Sequence, residues 1–249
     1  MFVKSENIRP LISNDLCRLL DDLLSLANGT QLIFLDEKEF TIKTGKSLYL
    51  SDGEACLTGS PEQLIICLKS LDSITQEIEL SIAHELGHMW LRFHDFPCER
   101  MYRDPIKQQY FDICFGPLLE IMEHFIFFPW LNDLYKINLY ERENQRLANF
   151  IRNEFPKRKV ESDQISFILN LLNYIKFNLQ SDNKYWQDKL RTAYRKKGLI
   201  NLCDTAETVM SIIRKLSRNS PNKANFLEKY SEVLEVLNIR SEIWPDFLT

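Results

Sequence analysis

Apolar residues first recur at helical spacing near the N-terminus. Within residues 13–27, leucines at positions 16, 19, 20, 23 and 24 form one stripe, and Ser13 stands where a helix cap is expected. The segments TQLIFLDE (30–37) and KSLYLSDGEACL (46–57) then predict short strands, with a hairpin turn signal at Asp52-Gly53. The first third of the chain therefore predicts a helix followed by a small sheet.

Two further helices are predicted between residues 59 and 95. The segment GSPEQLIICLKSL (59–71) opens with Ser-Pro, which is typical of a helix start. In the next segment, DSITQEIEL (72–80), Ser73 and Gln76 have the spacing of a capping box. We expect that box to open the helix that runs toward residue 95.

From about residue 117 the pattern is almost entirely helical. Pro117 stands at the start of LLEIMEHFIFF (118–128), and Pro129 is expected to end or kink that helix. Later helical stripes cover 139–155, 163–180, 183–196, 204–217 and 221–237, with start signals at Asp204 and at Ser220-Pro221. The best domain boundary is FPKRKVESD (155–163), which divides the chain into residues 1–155 and 156–249.

Composition narrows the class of protein. Among the 249 residues, 45% are hydrophobic, which suits a packed globular chain, and the net charge of −4 gives no support to a nucleic-acid or membrane-surface partner. No apolar run reaches the length of a membrane span, and the N-terminus lacks the apolar centre of a signal peptide. The six cysteines form no C-x-x-C pair, and most stand beside apolar residues, as small buried side chains do. Together these features favour a reducing cytoplasm.

The segment IELSIAHELGHMWLRFHDF (78–96) carries the strongest chemical signal. His84 and His88 stand four residues apart, so on a helix both imidazoles project from one face and can meet one Zn²⁺ ion. Glu85 lies about 100° further round the helix, where it can act as the general base for an attacking water. The alternative is a helix that contains two histidines by chance.

A catalytic zinc needs a third protein ligand, and His94 is one candidate. The spacing H-E-x-x-H-x-x-G-x-x-H of the metzincins would place it there, and Met101 would then invite comparison with their Met-turn. Leu91, however, stands where that pattern has its turn-forming glycine. A helix that continues through Leu91 would point His94 away from the metal.

Glu120 is the preferred third ligand. It lies in the apolar run GPLLEIMEHFIFFPWL (116–131), where a carboxylate needs a partner because its burial alone is costly. Glu123 and His124 lie on the same stretch and would then contact the ligands or the substrate. The alternative is that these polar side chains form a helix edge that faces water.

These segments resemble the ImmA/IrrE family of bacterial zinc metallopeptidases, whose motif helix often ends in A-H-E-L-G-H. EIMEHFIFFPW (120–130) is similar to a later helix of that family, although Glu123-His124 replaces its Ala-Asn pair. The resemblance covers residues 30–130 and implies a gluzincin-like metallopeptidase. The predicted boundary then gives a metallopeptidase domain over residues 1–155 and a helical C-terminal region over 156–249, which resembles no family. The implied activity would be zinc-dependent cleavage of one or a few intracellular proteins, often regulators.

The sequence therefore predicts an α+β, mostly helical fold. A small β-sheet is expected next to the H-E-x-x-H helix, followed by an all-helical C-terminal half. The predicted site has Glu85 as catalytic residue and His84, His88 and Glu120 as ligands of Zn²⁺. The alternative function is a non-catalytic regulatory binding module on the same scaffold, with a protein partner but no cleavage.

Overall fold

The computed structural model describes residues 2–4, 8–27, 29–48, 50, 54–60, 63–97, 108–109, 111–158, 164–218 and 222–238. They form a mostly helical α+β fold with one small mixed sheet, which confirms the predicted fold class. Within these ranges, no helix combines the length and apolarity needed to cross a membrane.

The sheet has four strands in the order β1-β2-β4-β3. Their bounds are β1 Phe2–Lys4, β2 Gln31–Asp36, β3 Ala55–Ser60 and β4 Gln63–Leu68. Strands β2 and β4 are parallel and pair Phe34 with Ile66, whereas β1 and β3 run antiparallel to their neighbours. One apolar cluster on this sheet joins β2 and β4 through Ile33, Leu35, Ile65 and Cys67.

The helix predicted over residues 59–71 is wrong, because this segment holds the end of β3 and all of β4. Five consecutive residues of β4, from Leu64 to Leu68, are buried, as expected for a strand covered on both faces. Periodicity cannot separate such a continuous apolar run from a helix. Gly59 precedes the strand at φ +117°, and a Cβ there would lie 2.2 Å from the Gln63 carbonyl oxygen.

The predicted strand over residues 46–57 is only partly correct. Residues 46–48, 50 and 54 are not in a strand, and β3 begins at Ala55. The Asp52-Gly53 turn lies outside the described residues. The chain instead has two elements that were not predicted, strand β1 and a helix over Glu37–Thr44.

Nine α-helices are described. Their bounds are α1 Asn14–Leu26, α2 Glu37–Thr44, α3 Gln76–Phe93, α4 Gly116–Tyr135, α5 Leu139–Asn149, α6 Gln164–Gln180, α7 Lys184–Lys196, α8 Ile200–Ile213 and α9 Lys223–Val236. Two π-helical segments, Phe111–Phe115 and Phe150–Glu154, adjoin α4 and α5. Helix α8 begins four residues before the predicted start at Asp204, and the Ser220-Pro221 signal lies outside the described residues.

Side-chain caps set the start of several helices. Ser13 caps α1 as predicted, by accepting a hydrogen bond from the Leu16 N–H. Asp36 caps α2 in the same way, and Gly45 ends it in the left-handed conformation. For α3 the cap is Thr75 rather than the predicted Ser73, since the Thr75 hydroxyl accepts from the Ile78 N–H.

Helix α4 continues through Pro129, so the prediction that the helix ends or kinks there is wrong about the end. Proline cannot donate to the carbonyl one turn earlier, which weakens the helix locally. Beyond the proline, Leu131 and Tyr135 are buried, and the Tyr135 hydroxyl donates to Asp22 at 2.7 Å. Burial of this last turn offsets the missing hydrogen bond.

The chain forms two compact units. The first comprises Met1–His94 and Trp130–Leu139, and it contains the sheet, with α3 packed against β3 and β4. In this unit the Trp90 and Trp130 rings stack at 4.1 Å.

The second unit comprises Asp95–Pro129 and Tyr140–Thr249. Among its described residues, buried aromatic contacts join distant segments, such as the Phe155–Tyr194 stack at 4.4 Å and the Tyr230 hydroxyl donating to the Phe115 carbonyl. The boundary predicted at residue 155 lies inside this unit.

Candidate metal centre

Helix α3 presents the two motif histidines on one face. Their ring centroids are 4.7 Å apart, with the rings nearly perpendicular. The other side of the helix is apolar, and Ile82, Ala83 and Leu86 are fully buried. This burial fixes the rotation of α3 and leaves His84 and His88 half-buried on the remaining face.

The third member of the group is His124, from helix α4. One ring nitrogen of each of His84, His88 and His124 lies within 4.8 Å of the other two. The His124 ring is buried, stacks on Phe128 at 4.8 Å and meets Phe127 edge-on at 5.2 Å. This group of three histidines could therefore bind a metal ion.

The donor set suits a transition metal better than calcium or magnesium. Imidazole nitrogen is a ligand for zinc, copper, iron and nickel, whereas calcium and magnesium prefer oxygen. In a tetrahedral zinc site with bonds of about 2.0–2.1 Å, the ligand nitrogens lie about 3.3 Å apart.

Glu85 is held beside this group by two hydrogen bonds. Its Oε1 lies 2.9 Å from His84 Nδ1, and its Oε2 accepts from the Leu57 N–H of β3 at 3.0 Å. Burial alone would raise the pKa of this carboxyl. The hydrogen bond to His84, the charges of His84 and His88 and the bond from Leu57 outweigh burial and lower the pKa below its ordinary value.

Glu120, the predicted third ligand, is not in the histidine group. Its Oε1 lies 2.9 Å from Lys176 Nζ and 3.8 Å from His124 Nε2. The histidine of helix α4 that groups with His84 and His88 is His124. The Glu120 carboxylate does have a charged partner, as its apolar surroundings require. That partner is the ammonium group of Lys176 on α6, 56 residues further along the chain.

His94 and Glu123 are also outside the group. The continuation of α3 through Leu91, predicted from the missing glycine, is confirmed, and His94 is the C-terminal cap of the helix. Its Nδ1 lies 2.8 Å from the Trp90 carbonyl oxygen. Glu123 is buried on α4, and Met101 lies outside the described residues.

A signal for His124 was present in the sequence. The chain has four histidines, and His124 lies within the same apolar run as Glu120. A buried imidazole needs a polar partner as a buried carboxylate does. The same argument that selected Glu120 therefore applied to His124, and only the three-dimensional arrangement separates them.

No protein-family model, curated protein or solved structure matches the chain. The resemblance to the ImmA/IrrE metallopeptidases therefore depends on the motif residues alone.

Proposed function

We propose that the chain is a zinc-dependent endopeptidase, with His84, His88 and His124 as metal ligands and Glu85 as general base. The observation that carries this proposal is the approach of three imidazole nitrogens to within 4.8 Å, next to a carboxylate on the same helix. Three protein ligands are the number that catalytic zinc sites use, because a fourth position must stay open.

The donor set fits zinc. Each histidine would bind zinc as a neutral imidazole, and the His84 Nδ1–H would donate to the Glu85 carboxylate, which leaves Nε2 for the metal. When bound, zinc would supply a Lewis acid that polarises a peptide carbonyl and makes water acidic near neutral pH.

Glu85 has the chemistry and the position of the proton carrier. A glutamate carboxylate is ionised at neutral pH, so Glu85 can take a proton from the attacking water. The same oxygen can then deliver that proton to the leaving amine. The hydrogen bonds that the carboxylate accepts from the Leu57 N–H and the His84 ring restrict its rotation, so its orientation is set before the substrate arrives.

An extended polypeptide is the substrate that suits this position. Strand β3 is the last strand in the sheet order, and the Leu57 N–H points from it toward Glu85. A peptide that pairs with an edge strand is held in extended form by its main chain, which exposes its carbonyls in register. We propose an intracellular protein as substrate, in a reducing cytoplasm.

The test begins with metal content and then measures cleavage. Purified protein should contain about one zinc per chain by elemental analysis. It is then added to a lysate of the source organism, and new protein N-termini are labelled and identified by mass spectrometry. We expect a small set of new N-termini that disappears with 1,10-phenanthroline and returns when zinc is restored.

Each other result is informative. A chain without bound zinc would contradict the proposal at the metal site. Bound zinc with no chelator-sensitive N-termini would favour the non-catalytic binding module.

A further inference from the structure

We propose that Glu120 is a positioning residue that orients His124 for metal binding, an inference that rests on the proposed metal site. Glu120 and His124 lie one helical turn apart on α4, and Glu120 Oε1 is 3.8 Å from His124 Nε2. The His124 ring is buried, whereas 36% of the Glu120 side chain is exposed. The carboxylate therefore lies between the buried ring and solvent.

Lys176 sets the position of this carboxylate. Its ammonium group lies 2.9 Å from Glu120 Oε1, the same oxygen that faces His124. Helix α6 carries Lys176, so a tertiary contact holds the Glu120 side chain. All three residues belong to the second compact unit, so their arrangement is a property of that unit alone.

The aromatic neighbours of His124 restrict its ring but do not select which nitrogen carries the proton. Phe128 stacks on the ring and Phe127 meets it edge-on, and neither provides a charge. A carboxylate that faces Nε2 favours the tautomer with hydrogen on that nitrogen, which leaves the Nδ1 lone pair for a metal. A shift of about 1 Å would shorten 3.8 Å to a charge-assisted hydrogen bond of about 2.8 Å.

The two ligand-bearing helices then use their carboxylates in opposite ways. On α3, Glu85 faces Nδ1 of His84, which leaves Nε2 for the metal. On α4, Glu120 faces Nε2 of His124, which leaves Nδ1. In both cases a carboxylate that is not a ligand selects the nitrogen that binds.

The test compares Glu120→Gln with the wild type by three measurements. Zinc affinity is measured by competition with a chromophoric chelator, and we expect it to fall about 10- to 100-fold, as for other outer partners of metal ligands. X-ray absorption of the zinc-loaded variant should still show three histidine ligands. In the metal-free variant, the ¹⁵N shifts of His124 should show less of the Nε2–H tautomer.

Glu207→Gln is the matched control. Glu207 makes a comparable ion pair, with Arg191 at 3.0 Å, and 40% of its side chain is exposed. It is not in the histidine group, so its replacement should leave zinc affinity and the His124 tautomer unchanged. If Glu120→Gln fails to fold, Glu120→Asp gives the same comparison, because it keeps the charge but draws it away from the ring.

The outcomes separate this inference from the proposed function. Failure of the wild type to bind zinc would contradict the proposed function itself. If the wild type binds zinc and the Glu120 variants bind it equally well with an unchanged tautomer, the positioning role is wrong. Loss of an oxygen ligand from the absorption spectrum would also overturn it, since Glu120 would then be a ligand.

Discussion

Helices α3 and α4 both contribute histidines to the same group, but they differ in how they do so. Helix α3 carries two histidines and a glutamate on a half-buried face, and the helix packs on the sheet. Helix α4 is buried on nearly all sides between Leu118 and Phe128, and it contributes one histidine. A spacing motif is therefore visible in α3, whereas the sequence of α4 contains a single histidine and no second one at helical spacing.

The largest effect is expected from a substitution on α3, which carries the proposed catalytic glutamate. Glu85→Gln keeps the shape of the side chain but cannot accept a proton, so the rate of substrate cleavage should fall about 10²- to 10⁴-fold. Zinc content should be unchanged, because Glu85 is not a ligand. The rate is measured on a substrate identified from its new N-terminus.

Glu77→Gln is the control for that variant. Glu77 lies on the same helix and is exposed, so its replacement should preserve the rate. A Glu85→Gln protein as active as this control would exclude Glu85 as the general base.

The second prediction tests whether α4 supplies a ligand. His124→Ala removes one of three imidazoles, and its zinc affinity should fall by more than about 100-fold, beyond the usual loss for an outer partner. His88→Ala should lose zinc to a similar extent, and His94→Ala should retain it. Chelator competition measures all three. Zinc retention by His124→Ala together with loss in His94→Ala would restore the metzincin interpretation.

The third prediction concerns the contact within the first unit between α3 and the last turns of α4. Trp90 is 6% exposed and stacks on Trp130, so Trp90→Ala should lower the free energy of unfolding by about 3–5 kcal/mol. Urea denaturation measures the change. Trp90→Phe keeps an aromatic ring and should lose much less. Equal losses in the two variants would show that the stack contributes little.

The smallest effect tests the start of α3. Thr75→Ala removes the hydroxyl that accepts from the Ile78 N–H and should cost about 1 kcal/mol of stability. Ser73→Ala, at the position that the sequence favoured, should change stability by less than about 0.5 kcal/mol. Thermal unfolding of the two variants decides between the caps, and a larger loss for Ser73→Ala would support the predicted capping box.

Local patterns predicted the elements whose signals are contained in a few neighbouring residues. The leucine stripe and Ser13 correctly predicted α1, and the missing glycine at Leu91 correctly predicted that α3 continues. The same approach failed at residues 64–68, because a strand buried on both faces and a buried helix can have the same continuous apolar sequence. Helix α2 was missed although Asp36, Glu39 and Gly45 stand at cap positions, since the apolar pattern there is weak.

The sequence by itself determined the pairing of His84 with His88 and the place of Glu85, because the pitch of one helix relates these residues. Only the tertiary structure groups His124, rather than Glu120, with His84 and His88, although the two residues lie one turn apart in the same apolar run. Lys176 approaches Glu120 from a distant helix, and no local pattern in the sequence predicts that contact. Side chains on one helix are related by its geometry, whereas a site that joins two helices depends on how each helix is rotated and packed.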